Sequence, residues 1–455
     1  MPNTNRRRFL QTTATAAGAF ALPSFAIGKP GESANNKINC AVIGAGGMGG
    51  YAVSQSLREN LVAIADVDDS RAGRAFQRSP NAKRFKDFRR MLDKHEKEID
   101  CVLISTPDHT HFAAAMDAMQ RGKHVFVQKP LAHNIWQVRT LQKAARKYGV
   151  QTQMGNQGHT FDGMYRIKEW VDAGIVGDVK EVVTWTNRPC APWFIAPKQF
   201  PISAEKAPAD VAWDLWQGPV KHRSFSREFV PTKWRSWWDY GCGALGDIGC
   251  HTFDAPFYVL GLGMPTKVTV EREEPPGPGF IPMKSVVTYH FPKRGDKPAV
   301  KMNWIEAGYD VPKPKRWDTG RAIPTKGGMY MEGSKNTLFH EGMRPTKPVI
   351  TPDERMKEVL PEINKIAKTE KLGSGPIEEL FRAIKGEIKA PGSNFDYAVP
   401  LTEVVLLGAL AQRTGETVRW DAKKMKVTGH PELDALINEP QSNGFEYGKD
   451  LWQQA

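Results

Sequence analysis

Three residues in this chain have the types and settings that alcohol chemistry needs. Lys129 ends a strand-like run, His124 to Gln128, and precedes Pro130. A lysine there can hydrogen-bond a substrate hydroxyl and stabilise developing alkoxide charge. Asp247 and His251 lie in Gly246-Asp247-Ile248-Gly249-Cys250-His251. If this stretch starts a helix, the i, i+4 spacing puts both on one face. A carboxylate beside an imidazole is a general-base arrangement. An N-capping aspartate with a satisfied core histidine fits the spacing as well. His109, His111, Cys242, Cys250 and His251 are available to a metal, but their spacings match none of the usual zinc patterns, and no metal is expected.

The elements that must position these residues begin at Lys37. An apolar strand, Ile38 to Ile43, runs into Gly44-Ala45-Gly46-Gly47-Met48-Gly49 and then a helix-like segment, Tyr51 to Arg58. In a dinucleotide-binding turn, Gly44 makes the bend, Gly46 lets the backbone approach a pyrophosphate, and Gly49 lets helix pack on strand. The helix N-terminus, with Gly47 and Met48 beside it, offers N–H groups to the phosphates. A second strand, Leu61 to Ala65, ends on Asp66, placed to bind the ribose hydroxyls of NAD. Asp66 would repel a 2′-phosphate, so NAD is expected over NADP, with Arg71 nearby softening the preference.

Strands and helices alternate to about residue 155, the pattern of a parallel sheet covered by helices. Ile99 to Ser105 reads as a buried strand, followed by the loop Thr106-Pro107-Asp108-His109-Thr110-His111 and a helix, Phe112 to Arg121. Ile135 to Tyr148 reads as helix and Gln151 to Met154 as a short strand. Loops that follow strands gather at the carboxyl edge of the sheet, where ligands bind. The Gly44 turn, the Thr106 loop and Lys129 therefore converge on one crevice. The cofactor contacts expected beyond the glycine turn and Asp66 are Thr106, Pro107, His111, Gln128, Lys129 and Asn156.

The second half reads differently. A helix, Phe161 to Ala173, leads to a strand, Val179 to Thr186. A long loop region, Asn187 to Cys242, carries six of the tryptophans. Strands then recur without intervening helices from Thr266 to Phe339, with a turn at Ser334-Lys335-Asn336, which suggests a mostly antiparallel sheet. Helices return at Ile377 to Lys385 and Leu401 to Arg413. Aromatic faces can stack a sugar ring or simply pack a core. Trp185, Trp193, Trp213 and Tyr240 are the candidates for substrate contact, beside Lys129, Asp247 and His251.

The amino terminus reads as a targeting segment. Arg6-Arg7-Arg8-Phe9-Leu10 is a twin-arginine pattern, followed by an alanine-rich run and small residues at Ser24-Phe25-Ala26. The organisation expected is a signal peptide, 1–26; a linker, 27–36; a dinucleotide-binding domain, 37–155; and a substrate domain, 156–455. Twin-arginine export carries folded proteins, so the protein is expected outside the cytoplasm with its cofactor loaded. No stretch is long and apolar enough for a membrane helix. The 40% hydrophobic and 25% charged composition is that of a globular protein and not of a disordered chain. The net charge of +13 is dispersed, without the basic, aromatic-interleaved stripe of a nucleic-acid binder. Cys40 and Cys101 sit in buried strands. Cys242 and Cys250 are the pair that could join in an oxidising compartment.

These motifs together resemble the glucose–fructose oxidoreductase and inositol dehydrogenase (Gfo/Idh/MocA) family. The likeness rests on GAGGMG at 44–49, STPDHTHF at 105–112, QKP at 128–130 and GDIGCH at 246–251, and covers nearly the whole mature chain. It implies an α/β fold: a Rossmann domain followed by an α+β domain with a large, mostly antiparallel sheet. It implies that Lys129, Asp247 and His251 form the catalytic set and that the Lys129–Pro130 bond is cis. It also implies a homo-oligomer joined through the C-terminal sheet. Gln128 departs from the family's usual glutamate, and Asp108 from its frequent asparagine. The resulting expectation is an NAD-dependent oxidoreductase moving hydride between nicotinamide and a secondary hydroxyl or keto group of a sugar, cyclitol or glycoside. The cofactor would be held tightly. A glycoside hydrolase or lyase using NAD transiently is the second reading, although that group lacks the D-x-x-x-H. A non-catalytic binding protein is the third.

Overall fold

The computed structural model describes residues 37–453; the twin-arginine pattern and the small residues after it lie outside them. Six short strands form a parallel sheet: β1 (Asn39–Ile43), β2 (Asn60–Ala65), β3 (Lys83–Phe85), β4 (Cys101–Ile104), β5 (His124–Val127) and β6 (Thr152–Met154). Their order is β3-β2-β1-β4-β5-β6. The central strands are continuous apolar runs because helices cover both faces, and every residue of β4 is buried. Five helices accompany them: α1 (Gly49–Ser56), α2 (Asp69–Arg78), α3 (Phe88–His95), α4 (Asp108–Gln120) and α5 (Ile135–Tyr148). The chain order reverses between β1 and β4, and the crevice opens outside their carboxyl ends.

Local signals set these boundaries. α5 begins where the Asn134 side chain accepts from Gln137 N and ends at Gly149, whose φ is +64°; such a cap is worth about 1 kcal/mol. α4 starts earlier than its apolar pattern suggests. Pro107, with φ −61° and ψ 155°, is its N-cap, so Asp108, His109 and His111 belong to the helix and not to a loop. A proline needs no N–H partner at a helix start.

The second sheet has nine strands: β7 (Val179–Thr186), β8 (Lys267–Arg272), β9 (Ser285–Phe291), β10 (Val300–Ile305), β11 (Gly327–Gly333), β12 (Thr337–Glu341), β13 (Val349–Thr351), β14 (Val418–Asp421) and β15 (Lys426–Val427). The order is β13-β12-β11-β7-β10-β9-β8-β14-β15. Every neighbouring pair is antiparallel except β7 with β10. The main helices here are α6 (Asp162–Asp172), α7 (Trp213–Gln217), α8 (Gly243–Thr252), α9 (Asp254–Leu260), α10 (Asp353–Ile363), α11 (Pro376–Ile384) and α12 (Phe395–Thr414), with one more turn at Asp434–Ile437.

α12 is the central beam. It packs on α5, on α8 and on β8, and its residues from Leu401 to Gln412 are almost all buried. It starts six residues before the expected Leu401, capped by Asn394, whose side chain accepts from Asp396 N. Pro400 sits inside it and forfeits one hydrogen bond; burial of the apolar turns on either side outweighs that loss. α11 places Ile377, Leu380 and Phe381 in one apolar cluster with Cys40, Val42 and Ile64 of the first sheet. All five cysteines are free. Cys242 and Cys250, the pair that an oxidising compartment could join, do not pair: eight steps of helix separate them by about 12 Å of rise, beyond disulfide reach.

Candidate active site

The first wall of the crevice is the glycine turn. Gly44 has φ +78°, and a Cβ on it would stand 2.8 Å from Ser105 O; one on Gly49 would stand 2.0 Å from Gly44 O. No side chain fits at either position. The Asp66 carboxylate accepts from Ala45 N at 2.7 Å, Gly46 N at 3.2 Å and Asp68 N at 3.0 Å. It therefore ties the turn to the end of β2. Burial nonetheless raises its pKa above the ordinary value, against those three donors. Arg71 lies over the turn, its Nη2 close to Gly47.

A cavity of about 690 Å³ runs from this turn to Lys129 and Asp247, with Met48, Thr106, Pro107 and Gln128 along it. Ser105 Oγ, Thr106 Oγ1 and both amide atoms of Gln128 are buried there without a partner among the described residues. Buried polar atoms are rarely left unpaired. A dinucleotide laid along the cavity would meet them, so the residues present fit NAD.

Two expected cofactor contacts do not reach this cavity. His111 is 1% exposed, with Nδ1 2.7 Å from Pro130 O and Nε2 2.8 Å from Thr106 O. It braces the two loops from behind, and burial pulls its pKa down to about 4. Asn156 is fully buried and donates to Asp254 Oδ2 at 2.9 Å. It belongs to a network with His159 and Tyr397, which also meet Asp254.

The reacting corner forms where β5 meets α8. The Lys129–Pro130 bond is cis. Lys129 Nζ donates to Asp247 Oδ1 at 2.8 Å and to its backbone O at 2.7 Å. α8 presents Asp247 and His251 one turn apart, and close packing lets it do so. A Cβ on Gly249 would stand 3.0 Å from both Leu245 and Val405. No hydrogen bond joins Asp247 to His251. Asp247 instead takes Arg188 on Oδ2 and Arg235 Nε on Oδ1 at 3.3 Å. Its pKa falls far below the usual carboxylate range: burial opposes ionisation, but Lys129, Arg235 and Arg188 together outweigh it. His251 is 2% exposed. Burial first, then Lys129 and Arg344, hold its pKa well below 6.5, so the ring is neutral. Its Nδ1 has no partner among the described residues, and Nε2 stands 3.4 Å from Arg344 Nη2. Asp108 lines the crevice near Lys129, accepts from Cys242 N at 3.2 Å, and is raised by burial to about 6.

Arg188, Arg235 and Arg344 are the site residues that the sequence did not disclose. They come from three separate segments, and none sits in a motif. Of the aromatic candidates, Trp193 lines the cavity and carries Arg188 over its ring at 4.2 Å. Trp213 and Tyr240 are core instead, packed with Trp216 and Phe229. Trp185 is core as well, stacked on Phe339 and donating to Pro324 O. Trp216 and Trp234 line the cavity in their place.

The segment between β7 and α8 forms the outer wall. Asp68 and Val211 make a β-bridge, Ala212 N donates to Val67 O at 2.8 Å, and Asp69 N donates to Asp210 O at 3.2 Å. Lys86 Nζ adds a bond to Asp210 O at 3.0 Å. These ties pin the tryptophan-rich segment to the carboxyl end of β2, across the cavity from the glycine turn.

Comparison with known proteins agrees with this architecture. Residues 38–156 match an oxidoreductase family with an NAD-binding Rossmann fold, and 162–278 match the same family's C-terminal α/β domain. Inositol 2-dehydrogenase of Rubrobacter xylanophilus is 31% identical over 148 residues, 31% of this chain and 42% of that protein. The NAD-dependent scyllo-inositol 2-dehydrogenase of Bacillus subtilis is 29% identical over 147 residues, again 31% and 42%. The match thus spans about two-fifths of either relative's length. Among solved structures, the WlbA dehydrogenase of Bordetella pertussis, in complex with NADH and UDP-GlcNAcA, superposes with a TM-score of 0.56 at 16% identity, over 85% of this chain and 99% of that one. The aldose–aldose oxidoreductase of Caulobacter crescentus gives 0.54 at 17%, over 84% and 100%. At these identities the structures attest the fold. The two family matches cover more than half of the chain, which therefore belongs to the Gfo/Idh/MocA oxidoreductases, enzymes whose Rossmann domain binds NAD.

Proposed function

We propose that this enzyme oxidises a secondary hydroxyl of a sugar, cyclitol or glycoside, with Lys129, Asp247 and His251 as its working groups. The observation that carries this reading is that Lys129 and Asp247 line one end of the dinucleotide cavity, with His251 one helical turn from Asp247, neutral and with its Nδ1 unpartnered among the described residues. An ammonium has three N–H groups. Asp247 takes two of those on Lys129, and the third is left for the substrate oxygen. His251 is the proton acceptor. With the proton of the neutral ring on Nε2, Nδ1 offers a lone pair to the hydroxyl, and the 3.4 Å contact to Arg344 is too long to impose the other tautomer. The cations that keep the imidazole neutral also favour an alkoxide, so proton removal is assisted at both ends. The chemistry a bound NAD supplies is acceptance of the hydride from the carbinol carbon. Asp247 holds Lys129, Arg188 and Arg235 in place.

The names of the inositol dehydrogenase relatives support a cyclitol or sugar hydroxyl. The test is mass spectrometry of products after incubation with a glycoside library. A product two hydrogens lighter is expected; a cleaved glycoside would instead assign the redox-neutral hydrolase or lyase cycle.

The same reading has the cofactor held tightly, since the pinned outer wall lies across its path, and has the protein exported with it by the twin-arginine route. Protein purified without added NAD should release dinucleotide on denaturation, and cell fractionation should find the enzyme outside the cytoplasm. Cofactor-free protein that consumes stoichiometric NAD would overturn the retention claim.

A further inference from the structure

The reacting corner carries more positive charge than its own carboxylates balance. Lys129, Arg188 and Arg235 all contact Asp247, and Arg344 stands beside His251. Four cations face one fully ionised carboxylate. Asp108, the other acid that feels Lys129 and Arg235, is raised by burial to about 6. With both acids ionised, at least two positive charges remain over.

Arg344 differs from the other three cations. It makes no ion pair among the described residues. Its Nη2 donates to Gln157 Oε1 at 3.0 Å and meets the His251 ring. Its Nε is buried with no acceptor, and so is Nε2 of the same Gln157. Both orphan atoms are donors only, so what is missing between them is an acceptor. A half-buried guanidinium without a counter-charge is costly to keep, and evolution could have placed an apolar residue there.

Resting on the oxidoreductase reading above, we propose that the substrate is a sugar acid whose carboxylate is bound by Arg344 and the Gln157 amide. One guanidinium without an ion-pair partner among the described residues matches one monoanion, and its planar fork meets both carboxylate oxygens side by side. The surrounding surplus of charge draws such a substrate toward His251. A neutral sugar would leave both donors unmet and the charge uncompensated.

The test pairs each neutral sugar with its uronate, glucose with glucuronate and galactose with galacturonate. Binding is read by calorimetry on protein loaded with NADH, and nicotinamide reduction by absorbance on protein loaded with NAD. The uronate should bind roughly ten-fold tighter than its parent, the scale of a hydrogen bond to a charged group, and high salt should narrow the gap. Arg344→Gln should abolish the preference and Arg344→Lys should keep part of it. If Arg344→Gln does not fold, the pairwise comparison in the native protein still decides. Equal affinities within each pair, a uronate affinity untouched by Arg344→Gln, or a preference for sugar phosphates over uronates overturns the proposal. Neutral sugars that reduce the nicotinamide while uronates fail to bind would sink this proposal and spare the oxidoreductase reading. Uronates that bind through Arg344 without any reduction would do the reverse.

Discussion

At the scale of single residues, the proposed function divides one task between Lys129 and His251: Lys129 would keep one N–H for the substrate oxygen and His251 one ring nitrogen for the proton. Alanine at either position should leave NAD binding intact and lower turnover by roughly 10²-fold, the scale of a positioned acid–base group. Near-normal rates in Lys129→Ala would reject the assignment. The pH profile gives a sharper check. The acid limb of kcat/KM reports the free enzyme's base, and His251 is held well below 6.5. Activity should therefore persist below pH 6.5 before it falls; an acid limb at pH 7 or above would mean that another group is the base. Asp66 is the other decisive residue. Asp66→Asn removes the charge that repels a 2′-phosphate and leaves Arg71 beside the turn, so the preference for NAD should narrow by roughly ten-fold or more. Equal preference in variant and native protein would deny Asp66 that role. The variant also weakens a tie to Ala45 and Gly46, so some loss of NAD affinity should accompany the switch.

The same scale shows what the sequence could disclose. The glycine turn, Asp66, Lys129 and the Asp247–His251 pair were legible because each is local, with spacing dictated by a turn, a strand end or a helix. Arg188, Arg235 and Arg344 were not, because only the tertiary fold brings three distant segments onto one carboxylate. Trp185, Trp213 and Tyr240 were misplaced for a related reason: an aromatic residue has the same sequence signature in a core as against a sugar. His111 lies in the first turn of α4, at the crevice, but on its inner side, which no periodicity within one turn could reveal.

At the scale of elements, Glu306 joins three of them. It follows β10, is 2% exposed, and accepts from Ser285 Oγ on β9 at 2.8 Å, from Trp304 Nε1 at 3.1 Å and from Gln412 Nε2 on α12 at 2.8 Å. Burial raises its pKa from 4.5 to about 7, more than those donors lower it. The folded state thus binds a proton that the unfolded state releases. Stability falls as pH rises from 4.5 to 7 and is flat above. The total loss is on the order of 3 kcal/mol. Glu306→Gln keeps the shape without the ionisation, so its Tm should gain a few degrees on the native protein between pH 5 and pH 8. Parallel Tm curves would show that Glu306 titrates normally. The sequence marks some element boundaries and hides others, for physical reasons. α5 and β7 carry clean caps and apolar patterns and were placed to the residue. The start of α12 was hidden by Pro400, and β13 to β15 are too short to show an alternation.

At the scale of the whole molecule, the second domain helps to enclose the first domain's ligand. The glycine turn forms one side of the cavity; the segment from 187 to 242 forms the other, tied to the end of β2 by backbone bonds at 210–212 and to the start of α4 through His109 and Asp108. The bonds at 210–212 make cofactor retention testable away from the glycine turn and the reacting corner. Ala212 has φ −81° and ψ 81°, close to the angle a proline ring imposes, and Val211 before it lies in an extended bridge, which a following proline tolerates. Ala212→Pro therefore deletes one bond, from Ala212 N to Val67 O, with little other strain. Lys86→Ala deletes a second, to Asp210 O. Each bond is worth about 1 kcal/mol. If opening of this wall limits release, the double variant should lose bound NAD some ten- to thirty-fold faster in a chase with excess unlabelled cofactor, and turnover in the first cycle should stay within about two-fold of native. Release at the native rate would mean that the wall stays shut without these ties or that the cofactor leaves by another route. Faster release with a collapsed Tm would instead show that the bonds hold up the fold rather than the gate.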